Sequence, residues 1–159
     1  LIRSRNVHKT YLAVVKGEFP EGEQDITLPI GRDRHDARRM RVSKTGKAAL
    51  THVRRLEVQR RGQSTQSLML AELGTGRKHQ IRVHFSALGF SIVGDGLYGP
   101  IARDGLYGRT SPTRTAAFMQ VPLMLHAYEL SFVHPVTGES LVLKTEWPSR
   151  FTGWSVQNP

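Results

Sequence analysis

The stretch TGRKHQIRVHF, residues 75–85, sets Arg77, Lys78 and Arg82 and two imidazoles, His79 and His84, among Ile81, Val83 and Phe85. A helix that only packs has no use for so many polar nitrogens between its apolar positions. Guanidinium and ammonium groups bind carboxylates and phosphates through charge and directed N–H donors. At the start of a helix they reinforce unpaired N–H groups and a dipole that already favour anions. His79 and His84 are five apart, off a common helical face, so they do not form a metal-ligand pair. Thr75-Gly76 is not part of a G-x-x-x-x-G-K-[ST] pattern, which argues against a nucleotide-triphosphate loop.

The rest of the chain carries charge of the same sign. Its formal net charge is +10 and its pI about 10.7. Between Arg32 and Gly62 lie 11 of the 23 Lys and Arg, against only Asp33, Asp36 and Glu57. Such clustering points to a polyanion, most often nucleic acid, held by salt-sensitive phosphate contacts. A merely solvated basic face is the plainer alternative. There is no Cys, hence no disulfide framework and no thiolate metal site, and a reducing, cytoplasmic compartment fits. No apolar run reaches membrane-spanning length. The opening LIRSRNVHKTYLAVV lacks a signal-peptide pattern and an initiator Met, so the chain is expected to be a piece of something longer. Its 159 residues suit one domain, 1–159, with a single core.

The elements that must position these side chains follow from periodicity. Residues 9–16, KTYLAVVK, read as a strand closed by Gly17 and Pro20, and 25–30 as a short second strand. Residues 32–47 are a basic loop or hairpin arm. Residues 50–60 and 66–73 form a hairpin turning at Arg61-Gly62-Gln63. The spacing predicts a helix over 78–88, ended by Gly89. Ile81, Phe85 and Leu88 share one face and Val83 and Ala87 another, so it is mostly buried. Residues 92–115 are a long loop containing DGLYG twice, at 95–99 and 104–108. Two copies are too few for a solenoid. Strands over 123–133 and 140–147 are joined by a turn at 134–139. No helix–strand alternation appears. The expected fold is α+β, an antiparallel-rich mixed sheet with one principal buried helix.

GTGRKHQIRVHFSALGFSIVGDGLYG (74–99) closely resembles the signature of the RluA-type pseudouridine synthases. KTYLAVVKG (9–17), LPIGRDRHDARRMRV (28–42), GKAALTHVRRLE (46–57) and LMLHAYELSFVHPVTGESL (123–141) resemble the same family in the same order. The resemblance implies a pseudouridine synthase-like catalytic domain that isomerises uridine in ribosomal or transfer RNA. It implies no cofactor and no metal; no membrane partner and a monomer are expected besides. The family's catalytic Asp lies in an H-R-L-D-x-x-T-S-G motif upstream of K-x-Y. This sequence has no R-L-D-x-x-T-S-G, and Asp25, Asp33, Asp36, Asp95 and Asp104 lack that context. The chain is therefore expected to be the larger, later part of the domain, without turnover on its own.

Tyr11 matches the family's active-site tyrosine, a ring face for uracil and a hydroxyl for proton transfer. Arg82 matches the arginine that pairs with the catalytic Asp, keeping it ionised and oriented. With that Asp absent, Arg82 is expected to be a costly unpaired cation, and the fragment to be locally disordered or to need its missing segment. Arg77, Lys78, His79 and Gln80 are expected at the rim of the site, in contact with phosphate or a base edge. Leu125 matches an apolar residue lining the uracil pocket. His126 either helps to hold the site or is a structural strand histidine. His84 is expected to be structural. Arg32, Arg34, Arg38 and Arg39, in the basic arm, would track phosphates. The alternative is an RNA-binding module that kept the fold and lost the carboxylate. A DNA-binding domain has no helix–turn–helix or zinc pattern to support it.

Overall fold

The computed structural model describes residues 7–99 and 121–156. The second DGLYG copy and most of the Gly- and Arg-rich loop lie outside them. Strands β1 (Val7–Lys16), β2 (Glu23–Ile26), β5 (Thr51–Arg61), β6 (Ser64–Leu73), β7 (Leu125–Val133) and β8 (Ser140–Lys144) make a six-stranded sheet. Its order is β2-β5-β6-β1-β7-β8. A hairpin of β3 (Ile30–Arg32) and β4 (Met40–Val42) carries the basic arm, and helix α1 (Gln80–Ala87) follows β6. Every strand pairing among the described residues is antiparallel, in keeping with the antiparallel-rich α+β fold expected. No described helix is long and apolar enough to cross a membrane.

In β1, Leu12, Ala13, Val14 and Val15 are all buried. A strand sends alternate side chains to opposite faces, so four consecutive buried residues require cover on both sides. Directly opposed residues of an antiparallel pair share a face. Tyr11 opposes Ala71, which opposes Val53. Thr51, Leu73, Ala13 and Met69 therefore project to the same side as Tyr11. Helix α1 covers this side: Gln80 and His84 both bond Thr51, while Ile81 and Phe85 enter the core. Burying each of those apolar side chains contributes about 1.5–3 kcal/mol. The reverse side carries Leu12 and Leu68, and there Phe151 lies beside His126, the residue opposite Leu12.

Two of the boundaries that differ from expectation have a plain physical cause. The second strand stops at Ile26 rather than 30, and the chain resumes as β3 at Ile30. Pro29 has no N–H for a ladder, and the Leu28 carbonyl is taken by His84 Nε2 at 2.9 Å. The helix starts at Gln80, two residues late, because its cap His79 is left-handed (φ 57°, ψ 22°). The start of that turn is held by Gln80 Oε1, which accepts the Arg77 N–H at 3.0 Å.

Candidate active site

Arg82 lies partly buried on α1, and it is not unpaired. Its Nε donates to Asp95 Oδ2 and its Nη2 to Asp95 Oδ1, both at 2.8 Å. Side-chain exposure is 18% for Arg82 and 0% for Asp95. Asp95 Oδ1 also accepts the backbone N–H groups of Leu97 and Tyr98, each at 2.9 Å. Burial alone pushes the Asp95 carboxyl up. The Arg82 bonds and charge with the two N–H groups outweigh it and hold the group below the ordinary carboxylate range. Gly94 delivers Asp95 to this spot: its φ is +75° and a Cβ would collide with the Pro122 carbonyl. The expectation of an unpaired Arg82 is thus overturned. A carboxylate 13 residues on closes the charge.

The geometry leaves the arginine half-used. A guanidinium has five N–H donors in a planar fork. Asp95 takes the Nε–Nη2 edge with two of them. The Nη1 end has no partner among the described residues, so a second carboxylate or a phosphate can dock there end-on.

Tyr98 lies against this pair. The Arg82 guanidinium sits over its ring at 4.9 Å and that of Arg39 at 5.5 Å. Its hydroxyl meets His79 Nδ1 and the Met40 N–H, both at 2.8 Å. Burial raises its pKa, so it stays a neutral phenol at pH 7. Burial, then the charges of Arg82 and Lys78, push the His79 pKa down against the pull of Asp95.

The remaining expected residues divide. Tyr11 is half-buried on the sheet face that α1 covers, and Leu125, opposite Ala13, projects from the same face. Lys78, Arg32 and Arg34 are exposed. Arg77 is partly committed, donating from Nε to the Ala48 carbonyl at 3.0 Å. Arg38 is exposed but grips Asp36 through Nε and Nη2 at 3.0 and 2.8 Å.

Gln80 is not at a rim. It is 2% exposed. Its Oε1 accepts from Thr75 Oγ1 and the Arg77 N–H, and its Nε2 donates to the Leu50 carbonyl and Thr51 Oγ1. That uses its full capacity inside the protein. His126 opposes Leu12 and so projects to the reverse face of the sheet from Tyr11. There it bonds Thr145 Oγ1 at 2.8 Å and lies beside the Phe151 ring. It is a strand histidine away from the Tyr11 face, because an odd step along a strand changes sides. His84 is fully buried, donating from Nε2 to Leu28 and accepting at Nδ1 from Thr51. It is structural, as expected.

Asp95 and Tyr98 were not among the expected site residues. Their spacing, D-x-x-Y, is visible in VGDGLYG, but nothing in it discloses that the carboxylate meets Arg82.

Comparison with known proteins follows the same lines. Residues 1–87 match the family model for RNA pseudouridylate synthase. The uncharacterized RNA pseudouridine synthase YhcT of Bacillus subtilis is 35% identical over 148 residues, 93% of this chain and 43% of that protein. The ribosomal large subunit pseudouridine synthase D of Nitrosomonas europaea is 37% identical over 150 residues, 92% of this chain and 40% of its own length. Among solved structures, human RNA Pseudouridylate Synthase Domain Containing 1 superposes with a TM-score of 0.72 at 32% identity, covering 92% of this chain and 57% of that one. The chain spans less than half the length of these curated relatives.

Proposed function

The chain belongs to the RNA pseudouridylate synthase family, and from that premise we propose that the protein containing it isomerises a uridine of ribosomal or transfer RNA to pseudouridine. The N–C glycosidic bond breaks, the base turns while held, and a C–C bond forms to the same ribose carbon. The observation that carries this reading is Arg82: clamped on one edge by buried Asp95, with its Nη1 end unpartnered among the described residues. A guanidinium so fixed favours an ionised carboxylate within about 4–6 Å and lowers its pKa. Asp95 cannot also be that carboxylate, since its two oxygens already accept four bonds. The sequence holds no R-L-D-x-x-T-S-G motif, so on this reading the reacting carboxylate comes from outside these 159 residues and the chain by itself is expected to give no turnover.

Tyr11 offers a ring to the everted uracil, an interaction worth about 1–3 kcal/mol per base. That offsets the few kcal/mol that eversion costs. Leu125, on the same face, supplies an apolar wall. Arg32, Arg34 and Lys78 contact phosphates, which hold the RNA in place without reading sequence. The protein works as a monomer in the cytoplasm without a cofactor or metal. Incubating the full-length protein with unmodified RNA and separating the digested nucleosides tests this. New pseudouridine is expected, and its absence would overturn the reading.

One observation favours the second reading, an RNA-binding module without catalysis. Asp95 already neutralises Arg82, so the fold tolerates loss of the catalytic carboxylate. RNA binding with no pseudouridine from the full-length protein would select it.

A further inference from the structure

Tyr98 joins three parts of the molecule that have no covalent reason to move together. Its hydroxyl takes the N–H of Met40, the first residue of β4 in the basic arm. The same hydroxyl meets His79, the helix cap. Its ring underlies Arg82, and its own N–H bonds Asp95. It is 3% exposed.

The hydroxyl has one proton. Met40 N–H can only donate, so the phenol oxygen accepts there and its proton is left for His79 Nδ1. That arrangement makes Nδ1 the unprotonated nitrogen and puts the ring proton on Nε2, whereas an Nδ1–H donating to the phenol oxygen would leave the phenol proton without a partner among the described residues. Nε2 has no partner among the described residues. His79 also holds the one left-handed non-glycine backbone among them, at φ 57°. Such a conformation persists only when its surroundings over-determine it, and the Tyr98 bond contributes to that beside the Gln80 Oε1 bond to the Arg77 N–H.

We propose that Tyr98 is a positioning residue that fixes His79 as the Nε2–H tautomer, leaving that N–H as a hydrogen-bond donor to a bound RNA nucleotide beside Arg82. The proposal rests on the reading that this face receives RNA. A neutral donor of defined tautomer distinguishes a base or ribose acceptor in a way that a mobile cation such as Lys78 does not. The groups that face the imidazole are Tyr98, Arg82, Lys78 and Asp95. Their net positive charge, together with burial, keeps it neutral at pH 7.

The test is nitrogen-15 NMR of the histidine side chains in the full-length protein, wild type and Tyr98→Phe, with His79→Asn to assign the signal. Asn tolerates the left-handed cap. Phe keeps the ring beneath Arg82 and removes only the hydroxyl. In the wild type, His79 is expected to carry its proton on Nε2. In Tyr98→Phe a substantial Nδ1–H population is expected, with RNA affinity or turnover reduced about fivefold, the worth of one neutral hydrogen bond. A wild-type proton on Nδ1 would overturn the proposal without any variant. So would an unchanged tautomer in Tyr98→Phe, or a changed tautomer with RNA affinity and turnover both intact. Absence of pseudouridine from the wild type would sink the functional reading alone, because the tautomer and the affinity still decide this one.

Discussion

Replacing Asp95 by Asn keeps the shape of the side chain and removes its charge. The wild-type carboxylate takes two N–H bonds from Arg82 and two from the backbone at 2.8–2.9 Å. An amide that keeps its oxygen toward Leu97 and Tyr98 must turn its NH2 toward Arg82 Nε, setting donor against donor. The guanidinium, 18% exposed, is left without its counter-charge. Breaking a buried pair by removing one partner costs about 3–5 kcal/mol. Partial exposure of Arg82 puts the expected loss at the lower end, about 3 kcal/mol. Domains are stable by only about 5–15 kcal/mol, so the change should be plain in urea unfolding of the full-length protein. With a slope of about 1–3 kcal/mol/M the midpoint falls by about 1–3 M. The pH dependence supplies a second readout. A carboxyl held below its unfolded value adds stability above that value, and loses it as pH falls through the folded one. Asp95 is such a group, so the acid-side loss should shrink in Asp95→Asn. The control is Asp36→Asn. Asp36 is lowered to about 2 by its hydrogen bonds with Arg38, but that arginine is 75% exposed and solvent screens the pair. If Asp95→Asn were no more damaging than Asp36→Asn, the Arg82–Asp95 pair would not be what orders this end of the helix.

Other consequences follow from the same geometry. Gln80→Ala removes four internal hydrogen bonds at a position 2% exposed. Leaving those partners buried and unpaired should cost about 2–4 kcal/mol in urea unfolding, with no specific loss of RNA affinity in the folded fraction. His84 is buried and its pKa is lowered, by desolvation first, against the pull of its bond to Leu28. The unfolded chain then binds the proton more readily, so stability is fully present above about pH 6.5 and declines as pH falls below it. His84→Gln should flatten that decline in a series of melts across pH. Charge removal at Arg32 and Arg34, both exposed, should reduce the salt slope of RNA binding by about 0.7 for each phosphate no longer neutralised. Arg38→Gln should do less, because Asp36 already occupies that guanidinium.

What the sequence discloses here is mostly local. The hairpin at Gly62, the Val- and Leu-rich β1 and the helix after Gly74-Thr75-Gly76 are short-range patterns, and each element forms within two residues of its expected bounds. The face of Tyr11 follows from alternation, but its row with Ala71 and Val53 needs a register that spans 60 residues. Gln80 and His126 show the limit most clearly. Both stand in polar-looking motifs, one at a helix start and one on a strand. Only three-dimensional proximity reveals that Gln80 is spent on Leu50 and Thr51, and that His126 projects to the other side. Arg82 shows the converse: its type marked it for an anion, while Asp95 as that anion depended on a loop whose turn is set by Gly94.

The central claim is that the open end of Arg82 serves a reacting carboxylate, whereas its other edge serves the fold. Arg82→Lys in the full-length protein probes it most directly, since a lysine keeps the charge and loses the fork. Turnover, read as pseudouridine formed in RNA, is expected to fall about 100-fold or more, while RNA affinity changes by less than a few-fold and the domain stays folded. Turnover and affinity falling together, or turnover undiminished, would contradict the account.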